Sequence, residues 1–489
     1  MYKKTARALN EAFVKGELTA SEIAAHFLQR IQLLDSDTKA FLNVFSDRIM
    51  EKAEKLDKKR AEGKPLGKLA AIPIAIKDNI QVKGEVTTCG SKFLSNYTAP
   101  FDATATRLIE EEDGLIIGKT NLDEFAMGSS TENSAYQVTK NPWNLSCTPG
   151  GSSGGSAAAV CARLAPISLG SDTGGSIRQP AAFTGTVGFK PTYGRISRYG
   201  LVAFGSSLDQ IGPFAHSVKD VALMMEVLGG PCERDATNIK KGKEPYLSHL
   251  ESSLQGKKIG VPKAFLKDLS SDARAIFDHN LEVLKGEGAE IVDIELNMLK
   301  HAIPIYYILC AAEASTNLAR FDGIRYGKRS EKAQSLNEIY DMSRAEGFGK
   351  EVKQRILLGT FVLSSGYQDA YYKKAQKVRT LIIEEYKKAF EGCDIVATPT
   401  TPTPAFEIGA IHDPVEMYLQ DLYTVSANLA GLPAISLPTG KDDKGLPHAI
   451  HLLGPQMCDG RVLHFAYQME KALKLANFIP PLFDKEASL

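Results

Sequence analysis

The chain has 489 residues, 43% of them hydrophobic and 24% charged, so it can bury a large core and is not disordered throughout. Its 58 Lys and Arg balance 58 Asp and Glu, which disfavours a protein that holds nucleic acid by itself, since phosphate binding needs a basic surplus or patch. No run approaches the ~18 apolar residues of a membrane span. The N-terminus carries acids early and has no apolar h-region, so it reads as the first helices of the fold and not as a targeting peptide.

In chain order, residues 1–60 read as a helical segment packing on the domain formed by residues 61–489. Thr19 and Glu22 form a capping box, and Ile23, Ala24, Phe27, Ile31 and Leu34 fall on one helix face. A lysine-rich helix over 51–64 has the composition of a solvated face. Residues 70–78 form a short apolar run typical of a buried strand, with Lys77 at its end. A helix over 103–113, a strand over 115–117 and a helix over 121–126 follow, an alternation that predicts α/β. Further on, a helix over 157–164 precedes a strand over 165–170. Strands are expected at 257–261, 394–398, 434–437 and 451–454, and helices at 271–287, 303–320 and 347–390. No stretch resembles an inter-domain linker. The expected fold is therefore a single large α/β domain, a mixed central β-sheet with helices on both faces.

The seven cysteines, Cys89, Cys147, Cys161, Cys232, Cys310, Cys393 and Cys458, are odd in number, scattered and free of C-x-x-C. That excludes a disulfide framework and a zinc site, gives no metal centre, and places the chain in a reducing cytoplasm.

Residues 145–189 hold only three charged residues, Arg163, Asp172 and Arg178, where the chain average would give about eleven. Such a segment fits backbone packed closely around something, with small side chains and free N–H groups. Three short motifs carry less than they suggest. Gly114–Thr120 is one residue short of a phosphate loop and has an apolar strand for an interior. Ser36–Lys39 matches S-x-x-K within a polar loop, and Gly150–Gly154 matches G-x-S-x-G without the preceding strand that a nucleophile elbow needs. His216, His448 and His451 are conceivable partners for that elbow, but none sits in a distinctive context.

Amide hydrolysis needs a nucleophile, a base that also protonates the leaving amine, and donors for the oxyanion. Thr173-Gly174-Gly175-Ser176 follows a strand and sets a serine after three flexible backbone N–H groups. A serine without histidine needs another base, and Lys77 is the candidate. Bringing a lysine from about 10.4 to near neutrality takes about 4 kcal/mol of differential solvation. On its own, the position favours the plainer reading of a strand-end lysine paired with an acid such as Asp78.

Pro149-Gly-Gly-Ser-Ser-Gly-Gly-Ser-Ala-Ala-Ala159 and Gly170-Ser-Asp-Thr-Gly-Gly-Ser-Ile-Arg-Gln-Pro-Ala181 resemble the signature of the amidase signature family. The resemblance implies a Ser-cisSer-Lys triad with Ser176 as nucleophile, Ser152 as proton relay on a cis Gly151–Ser152 peptide, and Lys77 as base. Thr173, Gly174 and Gly175 match the oxyanion hole. Stretches at 127–135, 320–327, 347–359 and 369–379 resemble one branch of that family, the glutaminase subunits of tRNA-dependent amidotransferases. That resemblance implies glutamine hydrolysis, with ammonia passed to a transamidating B subunit. It also implies a small C subunit that completes a heterotrimer, and ATP and Mg²⁺ at the partner, none in this chain. Glutamine wants an arginine for its α-carboxylate and a carboxylate for its α-ammonium. The matching residues are Arg355 and Asp421, with Tyr306, Gly128 and Ser129 alongside. The plain alternative for Arg355 is a charge on a solvated helix face beside Glu351 and Lys353. The alternative for the whole chain is a free-standing amide hydrolase of the same family acting on another substrate.

Overall fold

The computed structural model describes residues 1–267, 269–475 and 478–485. Eleven strands form one mixed sheet: β1 (Phe41–Val44), β2 (Pro73–Lys77), β3 (Leu115–Thr120), β4 (Ile167–Asp172), β5 (Val187–Lys190), β6 (Gln210–Ala215), β7 (Lys258–Val261), β8 (Glu290–Asp293), β9 (Ile395–Pro399), β10 (Ala434–Lys441) and β11 (Pro447–Leu453). Their order is β1-β3-β2-β4-β6-β5-β10-β11-β9-β7-β8. The β3-β2-β4 and β9-β7-β8 groups are parallel and the other neighbours antiparallel. Both faces are covered, and the period-2 alternation shows it. Ile74 and Ile76 enter one apolar layer with the helices Val218–Leu228, Ser271–Gly286 and Asp459–Leu473. Ala75 enters the opposite layer with Ala20–Thr38, Ser46–Ala61 and Gly154–Cys161. In β9, Ile395 and Ala397 face the first layer, while Val396 packs with Ala302–Leu318 and Lys374–Gly392. The mixed sheet flanked by helices is the α/β architecture expected from the sequence.

Three of the elements expected from the sequence take a different form. The segment over 1–60 is not all helical, because β1 extends the sheet edge by pairing antiparallel with β3. Gly118 makes that approach possible, since a Cβ there would lie 2.4 Å from the Asn43 carbonyl oxygen. Residues 121–126 form no helix beyond the short turn Glu124–Ala126, whose Phe125 is left-handed (φ 50). The long helix expected over 347–390 is broken into Lys350–Leu363, a π-helical turn Asp369–Lys373 and Lys374–Gly392, with Gly366 at φ 85 in the break.

The charge-poor segment runs through the middle of the molecule. The helix Gly154–Cys161, β4 and the helix Arg178–Thr184 are buried at every position, which accounts for the small, uncharged residues there. The seven cysteines are all free thiols. Among the described residues, no helix is long and apolar enough to cross a membrane.

Candidate active site

The parallel neighbours β2 and β4 end side by side, and the carboxyl ends of parallel strands are where α/β sheets place their ligands. β2 ends in Lys77. After Asp172, β4 gives way to the turn 173–176, which leads into the helix Arg178–Thr184. Lys77 is fully buried, and its Nζ donates to three hydroxyls: Ser152 Oγ at 2.7 Å, Ser153 Oγ at 2.8 Å and Ser171 Oγ at 2.9 Å. Asp78 is not its partner. That carboxylate pairs with Lys119 at 2.7 Å and accepts the Thr88 hydroxyl. The same pair gives Lys119, the lysine of the discounted phosphate-loop motif, a structural role. With hydroxyls for neighbours, Lys77 is governed by burial, which lowers its pKa to about 7 against the opposing pull of Asp123, Asp172 and Asp209.

Gly151–Ser152 is a cis peptide. Gly151 N–H donates to Gln179 Oε1 at 2.9 Å, and Gln179 Nε2 donates to the Ser129 carbonyl at 2.9 Å. The Ser152 carbonyl accepts the Asp123 N–H at 3.2 Å. A Cβ at position 151 would lie 2.2 Å from Asp123 Oδ2, so only glycine fits. The Asp123 carboxylate accepts the backbone N–H groups of Thr131 and Asn133, and burial pushes its pKa up to about 6. Among the described residues, no histidine bonds Ser152, Ser153 or Ser176: His451 lies against Arg178 and Thr398, and His448 against Thr439.

Ser176 reaches the surface of the site at 9% exposure. Its carbonyl accepts the Ser153 N–H at 3.2 Å, which ties the two serine loops together. Among the described residues, no acceptor meets the backbone N–H groups of Thr173, Gly174, Gly175 or Ser176, so these donors remain available for a developing oxyanion. The turn is fixed from below and from the side. Arg178 grips Asp172 through Nε and Nη2 at 3.0 Å each, and despite burial it holds that carboxyl down to about 2. The Thr173 hydroxyl donates to Asp209, and the Thr424 hydroxyl donates to the Gly174 carbonyl at 2.7 Å.

The residues expected to hold substrate surround this turn. The Tyr306 ring lies against Gly174, where a Cβ would come within 2.5 Å of its Cζ. Tyr307 packs edge-on to Tyr306 at 5.0 Å and stacks on Tyr418 at 3.8 Å. The Arg355 guanidinium sits 5.0 Å from the Tyr307 ring and 5.6 Å from those of Phe204 and Tyr418. It is only 4% exposed, which sets aside the solvated-face reading. Its Nε pairs with Glu351 at 2.7 Å. Asp421 is also buried and accepts the Ser129 hydroxyl at 2.7 Å. Burial pushes its carboxyl up to about 7, with Ser129 and Arg355 opposing. A Cβ on Gly175 would stand 3.1 Å from Asp421 Oδ1. Gly128 abuts the Asp123 carboxylate, and its φ of 154 together with that contact admits only glycine.

A family model described as Amidase matches residues 22–463. The chain belongs to the amidase signature family. It is 59% identical to the A subunit of the Glutamyl-tRNA(Gln) amidotransferase of Protochlamydia amoebophila, with both chains covered completely. It is 53% identical to the Chlamydia pneumoniae protein of the same name, over 100% of this chain and 99% of the other. The crystal structure of the corresponding Glutamyl-tRNA(Gln) amidotransferase chain from Thermotoga maritima superposes with a TM-score of 0.79 at 41% identity, covering 96% of this chain and 95% of that one.

Several residues that shape the amidase site escaped the sequence reading. Gln179 and Arg178 lay inside the motif without a role, and Ser153 and Ser171 looked like any other serine of a serine-rich segment. Tyr307 and Tyr418 belong to helices far apart in sequence and meet only through the fold.

Proposed function

We propose that this chain is the glutaminase subunit of a tRNA-dependent amidotransferase. The observation that carries the chemistry is Lys77, buried beside Ser152 with hydroxyl partners and no carboxylate. In the proposed reaction, Ser176 Oγ attacks the side-chain amide carbon of glutamine as its proton passes through Ser152 to neutral Lys77. The backbone N–H groups of Thr173, Gly174 and Gly175 hold the oxyanion. Lys77, now an ammonium, returns the proton through Ser152 to the leaving nitrogen, so ammonia departs and a glutamyl ester remains on Ser176. Water then attacks the ester under the same base, releasing glutamate and restoring the Ser176 hydroxyl. Arg355 takes the α-carboxylate and Asp421 the α-ammonium, with Tyr306, Gly128 and Ser129 shaping the pocket between them.

Ammonia then serves a transamidating B subunit that converts Glu-tRNA(Gln), Asp-tRNA(Asn) or both to the amide, with a small C subunit completing a heterotrimer. ATP, Mg²⁺ and the tRNA acceptor end belong to the partner, in the cytoplasm. The buried Arg355 and Asp421 favour glutamine over the free-standing hydrolase reading. Measuring ammonia release from glutamine by the chain alone, then with its partner and charged tRNA, tests the proposal. Release of ammonia from glutamine is expected. High turnover of unrelated amides with none of glutamine would overturn it.

A further inference from the structure

Two successive acidic residues sit between the Ser152 loop and the helix that carries Arg355. Asp123 holds the Ser152 carbonyl through its backbone N–H. Glu124, 3% exposed, reaches the helix: its Oε2 accepts the Gly349 N–H at 2.7 Å, and its Oε1 accepts the Ser91 hydroxyl. Gly349 is the N-cap of Lys350–Leu363 and has no side chain with which to cap it. Glu124 therefore supplies from a distant segment the acceptor for the N-cap N–H that the N3 glutamate of a capping box supplies locally, where this helix has Val352, and a carboxylate suits the positive end of the helix. A Cβ at 349 would lie 2.5 Å from Glu124 Oε2, so glycine is what admits the carboxylate. The junction is sealed by aromatic rings, Phe348 stacking on Phe93 at 4.7 Å and meeting Phe125 at 5.6 Å. Phe125 and Ala126 hold left-handed φ values of 50 and 63 directly after Glu124. Residues with a Cβ adopt that conformation only where their surroundings fix it.

The geometry points to Glu124 as a positioning residue for the glutamine clamp: through Gly349 it sets where the Arg355 helix begins relative to the turn that holds Ser152. Arg355 lies six residues past Gly349, about 9 Å along the helix axis. A shift of the helix start is therefore carried to the guanidinium without touching Lys77 or Ser176. The inference rests on the glutaminase reading, because Arg355 is there assigned to glutamine's α-carboxylate. Since burial pushes the Glu124 carboxyl up to about 7, glutamine at this position is a fair mimic of its neutral form and still accepts the Gly349 N–H.

The test is steady-state glutamine hydrolysis by the full chain, purified with the subunits that accompany it. Glu124→Ala is expected to raise KM at least about tenfold while kcat changes less than about threefold, and Glu124→Gln to stay within about threefold of the unaltered KM. Gly349→Ala, which pushes the carboxylate off the N–H without deleting it, is expected to raise KM in the same direction and keeps the test open if Glu124→Ala fails to fold. A fall in kcat with KM unchanged, or Glu124→Gln as damaged as Glu124→Ala, would overturn the positioning role. An unaltered chain that ignores glutamine would instead overturn the glutaminase reading.

Discussion

Lys77 meets three hydroxyls and no carboxylate, so desolvation sets its protonation state. With burial holding it at about 7, the neutral form that the proposed reaction needs as base gains as pH rises through neutrality. Asp421, also near 7, becomes the carboxylate that the proposed clamp requires over the same range, so both groups act with the same sign. Because two groups must lose a proton, glutamine kcat/KM is expected to fall more steeply than about tenfold per pH unit below ~6, approaching about a hundredfold, and to level off above ~8. Lys77→Arg, charged at every accessible pH, should abolish hydrolysis, and a pH–rate profile from 5.5 to 9 measures both effects. A flat profile across that range would deny Lys77 the role of base. At this scale the candidate site is largely legible in the sequence, because Ser152, Ser176 and the glycines proposed for the oxyanion lie in two contiguous motifs. Lys77 lies outside those motifs: its position alone favours a pairing with Asp78, only the family resemblance points to a base, and the fold gives that carboxylate to Lys119.

Helices and strands place these residues with little slack. The helix Lys350–Leu363 brings Gly359 against Ala302–Leu318, so close that a Cβ at 359 would lie 2.0 Å from the Ala311 carbonyl oxygen. One of these helices carries Arg355 and the other Tyr306. Gly359→Ala should force them apart, destabilise the chain by about 1–3 kcal/mol and raise KM for glutamine. Thermal denaturation and initial rates read the two effects separately, and an unchanged KM beside a lowered midpoint would show that the clamp tolerates the shift. Elements of this kind were only partly legible. The strand β6 is Gln-Ile-Gly-Pro-Phe-Ala, with a glycine and a proline in its interior that speak against a central strand. Tertiary pairing decides otherwise: Gly212 lets the Phe189 carbonyl approach, where a Cβ would come within 2.1 Å. The strands β1, β5 and β8 are only four residues each and lack the apolar run by which β2, β4 and β9 stand out.

Across the whole molecule, the N-terminal helices are built into the sheet layer that supports the site. Arg30 is fully buried and donates to the carbonyls of Ala162, Arg163, Phe483 and Lys485. It thereby joins the helix Ala20–Thr38 both to the end of the helix Gly154–Cys161, which follows the Ser152 loop, and to the C-terminal segment. Arg30→Met keeps the stem but deletes the donors, and should destabilise the fold by about 3 kcal/mol, read as a lowered unfolding midpoint. No loss would mean that these carbonyls find water instead. The balance of 58 basic and 58 acidic residues suits the proposed role, in which ammonia serves tRNA at a partner and this chain need not grip the phosphate backbone.

The most direct measurement is amidation of mischarged tRNA by the assembled complex carrying Ser176→Ala, supplied in turn with glutamine and with ammonium chloride. The proposed division of labour predicts that glutamine no longer supports amidation while ammonium still does. Loss of both, or retention of both, would contradict it.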